Sequence, residues 1–198
     1  MHRDIIAIGG SLGGLDALCT LVRRLPQDFP AVLLAVLHTG PSSPMLLAEL
    51  VGQSTTLAVA YGRDDEVVQK GRLLIAPPDR HMTVGLSGRI RLDCGPVVRF
   101  ARPAVDKLFE SVAEHFGPRA IGIVLSGGLQ DGTTGLRAIT AAGGLGIVQD
   151  PRDAQDPGMP VNAIKCGQPD YITRLNEIAP LLVKLVRAET KVAKSAST

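Results

Sequence analysis

The stretch Ile5-Ile6-Ala7-Ile8-Gly9-Gly10-Ser11-Leu12-Gly13-Gly14 decides the fold. Asp4 to Ile8 is a short, mostly apolar run and reads as a buried strand. Beyond the glycines, Leu15, Leu18, Cys19 and Val22 recur at helical spacing, so a helix is expected over Leu15–Arg24, stopped by Pro26. Strand, glycine turn and amphipathic helix in that order put Ser11 at a sharp corner. Glycines there let the backbone take positive φ and let other groups approach closely. The helix start adds unpaired N–H groups and the positive end of a dipole. Such a corner suits a bound phosphate or a nucleophilic serine.

Working outward, Ala31–Leu37 is a continuous apolar run, the mark of a parallel strand buried on both faces. His38 ends it, and Thr39-Gly40-Pro41-Ser42-Ser43-Pro44 leads to a helix near Met45–Val51 and a strand at Leu57–Ala60. This βαβαβ order is that of a doubly wound sheet. Three short runs then follow, Gly71–Ala76, Met82–Leu86 and Ile90–Leu92, with turn signals such as Ser87-Gly88 between them. They are expected to form an antiparallel hairpin insert.

Alternation returns with a helix at Pro103–Phe116, whose apolar stripe is Val105, Leu108, Phe109, Val112 and Phe116. A strand at Ile121–Leu125 leads to the glycine turn Ser126–Gly132 and a helix at Thr133–Ala142. A strand at Leu145–Val148 and a last helix over Glu177–Arg187 complete the pattern. The expected fold class is α/β: a doubly wound, mostly parallel sheet in a Rossmann-like three-layer build, with a small antiparallel hairpin insert. One domain is expected over residues 1–190, with a small polar tail at 191–198 that frays.

Composition narrows the function. Hydrophobic residues at 45% against 20% charged allow a sizeable core. A net charge of +2, with no basic cluster, argues against a nucleic-acid surface, and 3% aromatics without Trp argue against base stacking. The apolar run Ala31–Leu37 is far shorter than the ~18–20 residues a membrane span needs, and no signal-peptide pattern precedes the first strand. Cys19, Cys94 and Cys166 are odd in number, widely spaced and without C-x-x-C, so they read as reduced, mostly buried thiols of a cytoplasmic protein. The His and Cys residues show no metal-ligand spacing, and neither metal nor cofactor is expected.

The phosphate reading of the corner fails at checkable points. Ser11 stands where a dinucleotide fingerprint needs its middle glycine, the second strand ends in His38 rather than an acid, and no Walker G-K-[ST] occurs. Gly9-Gly10-Ser11-Leu12-Gly13 does satisfy G-x-S-x-G between strand and helix. Taken singly, such a turn, a histidine at a strand end, or Asp131 before Gly132 also suits plain structure. Jointly, Ser11, His38 and Asp131 each follow the carboxyl end of a different expected strand, the edge where open α/β sheets bind ligands. A serine needs an imidazole to take its proton and a carboxylate to orient that imidazole. A working triad then brings Ser11 Oγ within about 3.5 Å of His38 Nε2. The chain order Ser, His, Asp differs from that of the α/β-hydrolases.

These residues resemble the catalytic domain of the chemotaxis protein-glutamate methylesterases, the CheB family, from about Asp4 to Val186. The matching pieces are Ile8–Gly14, His38, Ala76-Pro-Pro-Asp-Arg-His81, Arg102-Pro-Ala-Val-Asp-Lys-Leu-Phe109, Leu125–Gly132, Gln149-Asp150 and Gly158-Met-Pro160. The resemblance implies a triad of Ser11, His38 and Asp131 and an acyl-enzyme route for γ-glutamyl methyl esters. The expected partner is the methylated cytoplasmic helical region of a chemoreceptor, with no nucleic acid and no membrane insertion. It also implies deamidation of receptor glutamines by the same route. Oxyanion donors are expected at the Leu12 and Gly128 N–H groups. His81, Arg102 and Met159 are the candidates to border the substrate groove, with a structural hydrogen bond the favoured reading for His81 and packing the alternative for Arg102 and Met159; Asp106 is expected to serve the helix start. The family's Gln-His-Met-Pro reads Leu37-His38-Thr39-Gly40 here, and its Thr-Gly-Met-Gly reads Ser126-Gly127-Gly128-Leu129. Larger members place a receiver domain first; this chain starts at the first strand, and the expectation is a stand-alone enzyme or a fragment of a receiver-containing chain. A non-catalytic binding or regulatory module on the same fold is the alternative.

Overall fold

The computed structural model describes residues 2–188 except Leu86; the expected tail at 191–198 lies outside the described residues. The chain begins with β1 (Ile5–Gly10), α1 (Gly14–Val22), β2 (Val32–Leu37), α2 (Leu47–Gly52), β3 (Ala58–Tyr61) and β4 (Arg72–Ile75). A hairpin follows, β5 (His81–Val84) and β6 (Ile90–Asp93), then α3 (Val105–Phe116), β7 (Ala120–Val124), α4 (Thr133–Ala141) and β8 (Leu145–Gln149). The described chain closes with α5 (Gly158–Cys166), β9 (Tyr171–Thr173) and α6 (Leu175–Arg187). The main sheet is seven-stranded and parallel, in the order β3-β4-β2-β1-β7-β8-β9. β5 and β6 pair antiparallel as a separate two-stranded sheet.

Strands β1, β2 and β7 are buried on both faces, which is why they read as unbroken apolar runs. Alternate residues feed two cores. Ile6, Ile8, Leu33, Ile121 and Ile123 face α1, α2 and α6. Ile5, Ala7, Leu34, Val36 and Val124 face α3, α4, α5 and the hairpin. A fully buried side chain of this size contributes about 1.5–3 kcal/mol. The sheet is therefore a rigid floor for whatever sits at its strand ends.

Several expectations need correction. The run at 71–76 is not part of the hairpin. Its strand β4 lies inside the parallel sheet between β3 and β2, with Leu73, Leu74 and Ile75 fully buried. Consecutive apolar residues buried on both sides are the parallel-sheet signature, whatever lies next to them in sequence. Pro103 precedes α3 and follows a cis peptide bond, so it is not in the helix's first turn. Helix α5 and strand β9 were not expected; Gly158 and Pro160 weaken the helical signal, and β9 is a short, partly exposed edge. The cysteines are free, but Cys94 and Cys166 are exposed and Cys19 is only half-buried. Cys94 lies in the loop after β6 and Cys166 is the last residue of α5.

Below the sheet, buried Asp4 joins β1 to its surroundings through Arg119 Nε at 2.8 Å and Lys70 Nζ at 2.9 Å. Burial alone raises the Asp4 carboxyl; its hydrogen bonds and charge contacts with Arg119 and Lys70 outweigh this and hold it below the ordinary value. A depressed acid stabilises the fold above its unfolded pKa of about 3.9 and loses that contribution as pH falls through the folded value. Asp4→Asn should therefore unfold at lower urea concentration at pH 7. Its stability should also change less than the parent's as pH falls below about 4.

Candidate active site

The strand order reverses between β1 and β7, where neighbouring connections leave in opposite directions. That switch point is the usual ligand crevice of an open parallel sheet. Ser11 follows β1, His38 follows β2, and Asp131 ends the loop after β7. All three thus stand at the carboxyl edge of adjacent strands.

Asp131 is almost fully buried. Its Oδ2 meets His38 Nε2 at 2.7 Å and accepts the Val105 N–H at 2.7 Å. Its Oδ1 accepts the N–H groups of Asp106 and Gly132, both at 2.9 Å. Val105 and Asp106 open α3, whose N-cap residue Ala104 supplies no side-chain cap. The first amides of a helix have no intrahelical partner. Asp131 supplies it from another part of the chain and, in doing so, is locked in place. An acceptor on Nε2 implies a proton there, which leaves Nδ1 as the basic nitrogen of a neutral His38.

Ser11 Oγ makes no hydrogen bond with any described residue. The expected contact of Ser11 with His38 Nε2 is absent among the described residues, and Nε2 is committed to Asp131 instead. The open nitrogen is Nδ1. The Leu12 and Gly128 N–H groups also find no acceptor among the described residues, so both remain available to an oxyanion.

Ser126 fastens this corner. Its carbonyl accepts the Ser11 N–H at 2.9 Å, and its hydroxyl donates to the Leu12 carbonyl at 2.7 Å and accepts the Asp156 N–H at 2.9 Å. Gln149 Oε1 accepts the Ser126 N–H in turn, at 2.9 Å. A Cβ at Gly127 would press on Met159 Sδ and lie 2.8 Å from Ser11 Cβ, so only glycine lets the two loops meet. The sequence carried Ser126 and Gln149 inside motifs but no signal of this bracing role; it depends on pairing across loops that are distant in the chain.

The groove residues separate. Arg102 lines a cavity of about 560 Å³ that His38 also borders. It is tied to Asp79 Oδ1 at 2.6 and 2.9 Å and to the Gly95 carbonyl at 2.9 Å. His81 and Met159 do not border the groove. His81 is buried, lies 2.9 Å from the Pro96 carbonyl and accepts the Ala104 N–H at its Nδ1. Met159 is fully buried beneath Gly127. Asp106 is buried too, and braces α3 to α4 by accepting the Gly135 N–H at 2.8 Å. Burial, with the nearby Asp131 charge, pushes its carboxyl above the ordinary range, against the pull of the Gly135 N–H and Arg99. Among the described residues no cluster of His, Cys, Asp and Glu suits a metal ion.

The CheB methylesterase family model matches residues 6–182. The chain belongs to the CheB methylesterase family. It is 32% identical over 93% of its length to a relative from Leptospira interrogans, spanning 96% of that protein. It is 38% identical to the protein-glutamate methylesterase/protein-glutamine glutaminase 2 of Anaeromyxobacter dehalogenans, over 93% of this chain and 54% of that one. The protein-glutamate methylesterase FrzG of Myxococcus xanthus is 36% identical, with 92% and 54% covered. The chain thus spans about half the length of these last two relatives. The crystal structure of the Thermotoga maritima CheB methylesterase catalytic domain superposes with a TM-score of 0.89 at 32% identity, covering 94% of this chain and all of that one. The doubly wound parallel sheet is therefore the family's own fold.

The seat of Asp131 depends on close packing under it. A Cβ on Gly9 would collide with Val105 Cγ1 and lie 2.8 Å from Cγ2, pushing on the first turn of α3. We expect Gly9→Ala to cost about 1–3 kcal/mol in urea unfolding. Adding Val105→Ala should cost less in that background than in the parent, a coupling that a double-mutant cycle reads directly.

Proposed function

We propose that this chain hydrolyses γ-methyl esters of glutamyl residues on a chemoreceptor through an acyl-enzyme at Ser11. The observation that carries the reading is the His38–Asp131 contact, at the same sheet edge as a Ser11 hydroxyl that has no hydrogen-bond partner among the described residues. Family membership and the names of the relatives support the substrate class.

His38 Nδ1 takes the Ser11 proton as Oγ attacks the ester carbonyl. The oxyanion that forms is met by the Leu12 and Gly128 N–H groups, each such donor being worth roughly 3–4 kcal/mol. Collapse of the intermediate breaks the ester bond, and methanol leaves with the proton from Nδ1. A water molecule then gives its proton to the same nitrogen and attacks the acyl carbon, releasing glutamate and restoring Ser11. Throughout, Asp131 keeps the Nε2 proton in place and stabilises the imidazolium. A glutamine side chain enters the same route with ammonia as leaving group, which is the deamidation reading. The site of action is cytoplasmic, where the methylated helical region of a chemoreceptor lies. No helix among the described residues is long and apolar enough to cross a membrane.

Methanol release from a methylated receptor fragment tests this. The parent chain should release methanol, Ser11→Ala should fall to background, and His38→Gln should lose roughly 100- to 10,000-fold. Release that persists in Ser11→Ala would overturn the reading.

A further inference from the structure

We propose that the Arg99-Phe100 turn and Leu129 form a subsite for an apolar side chain of the polypeptide that carries the ester, with Phe100 determining specificity. The inference rests on the esterase reading above. Val98 and Ala101 exchange hydrogen bonds in both directions, at 3.1 and 2.9 Å. Both residues between them have positive φ, 51° at Arg99 and 66° at Phe100. That is the pattern of a type I′ turn, which strongly favours Asn-Gly. Arg and Phe are sterically disfavoured there.

The strained turn is held from both sides. Arg99 Nη2 donates to Thr134 Oγ1 at 3.3 Å, and its Nε lies 3.6 Å from Asp106 Oδ2. On the other flank, Arg102 is fixed to Asp79 and to the Gly95 carbonyl. Strain that the surroundings enforce is commonest at binding and catalytic sites. Here it presents an aromatic ring at 92% exposure. Leu129, in the loop after β7, likewise holds a positive φ of 65° and presents an aliphatic side chain at 63% exposure.

These two side chains line both the cavity that reaches His38 and an adjoining cleft of about 210 Å³. The cleft's remaining wall is Arg99, Gln130 and Asn162. An apolar ridge between two hollows, one of them running to the base, fits a chain that seats its ester at Ser11 and a neighbouring apolar side chain on Phe100. Arg99 is partly exposed and places a cation beside that path, which matches the free carboxylates of a glutamate-bearing polypeptide.

The test compares kcat/KM for a methylated receptor-helix fragment with that for the γ-methyl ester of N-acetylglutamate, a single residue too small to reach the cleft. Phe100→Gly should lower the ratio of the two by about tenfold. Its thermal midpoint should match or exceed the parent's, because glycine accepts the left-handed φ without strain. Phe100→Leu, which keeps an apolar side chain, should retain most of the ratio. In a Ser11→Ala background, where no turnover occurs, Phe100→Gly should weaken fragment binding by a similar factor. That arm reads the subsite even if the chemistry at Ser11 is not ester hydrolysis. An unchanged ratio with unchanged binding would overturn the proposal. So would a dimer in sedimentation that Phe100→Gly dissociates, which would give the ring to a second copy of the chain.

Discussion

The site depends on one carboxylate in one seat. Asp131 takes the amides that open α3, the amide of Gly132 and the His38 ring, and it is almost entirely shielded from water. Each interaction justifies the others. Without the carboxylate, the Val105 and Asp106 N–H groups would be buried donors without acceptors, at roughly 1–3 kcal/mol each. Without the helix start, the carboxylate would be free to turn away from the imidazole. The same contact therefore helps hold the helix and sets the tautomer of His38. This couples the stability of the α3–β7 region to the orientation of the His38 ring.

Sheet topology brings the parts together. Parallel strands β2, β1 and β7 are neighbours, so residues at their carboxyl ends converge although His38 and Asp131 lie 93 positions apart in the chain. Close approach completes the arrangement. Gly9 lets Val105 lie directly against β1, and Gly127 lets its loop press against Ser11. Ser126 then locks both loops through backbone and hydroxyl bonds. Among the described residues, the amides of Leu12 and Gly128 are left without an acceptor at this corner.

Much of this was legible in the sequence, for physical reasons that can be named. Runs such as Ile5–Ile8 and Ala31–Leu37 announce strands buried on both faces, and the residues after them mark the functional edge. Ser11, His38 and Asp131 could be singled out because α/β topology ties strand ends to one surface. What local pattern cannot carry is partner choice. The run at 71–76 joined the main sheet because long-range pairing with Leu33–Ala35 buried it, a fact outside its own neighbourhood. His81 and Met159 stand beside proline and glycine turns, where groove and packing roles are both open to them, and tertiary packing put both inside. The ring nitrogen left free depends on which one the carboxylate reaches, and spacing says nothing about that. The left-handed Arg99-Phe100 turn runs against local preference altogether, so no propensity argument could have found it.

The central claim is that Ser11 is a nucleophile activated by a histidine that Asp131 holds. A fluorophosphonate probe followed by peptide mass spectrometry tests it most directly, because only an activated serine attacks phosphorus readily. The account predicts a covalent adduct on the Ser11 peptide of the parent chain, and loss of that adduct in His38→Ala. An adduct that forms equally well without His38, or that maps to another residue, would contradict it.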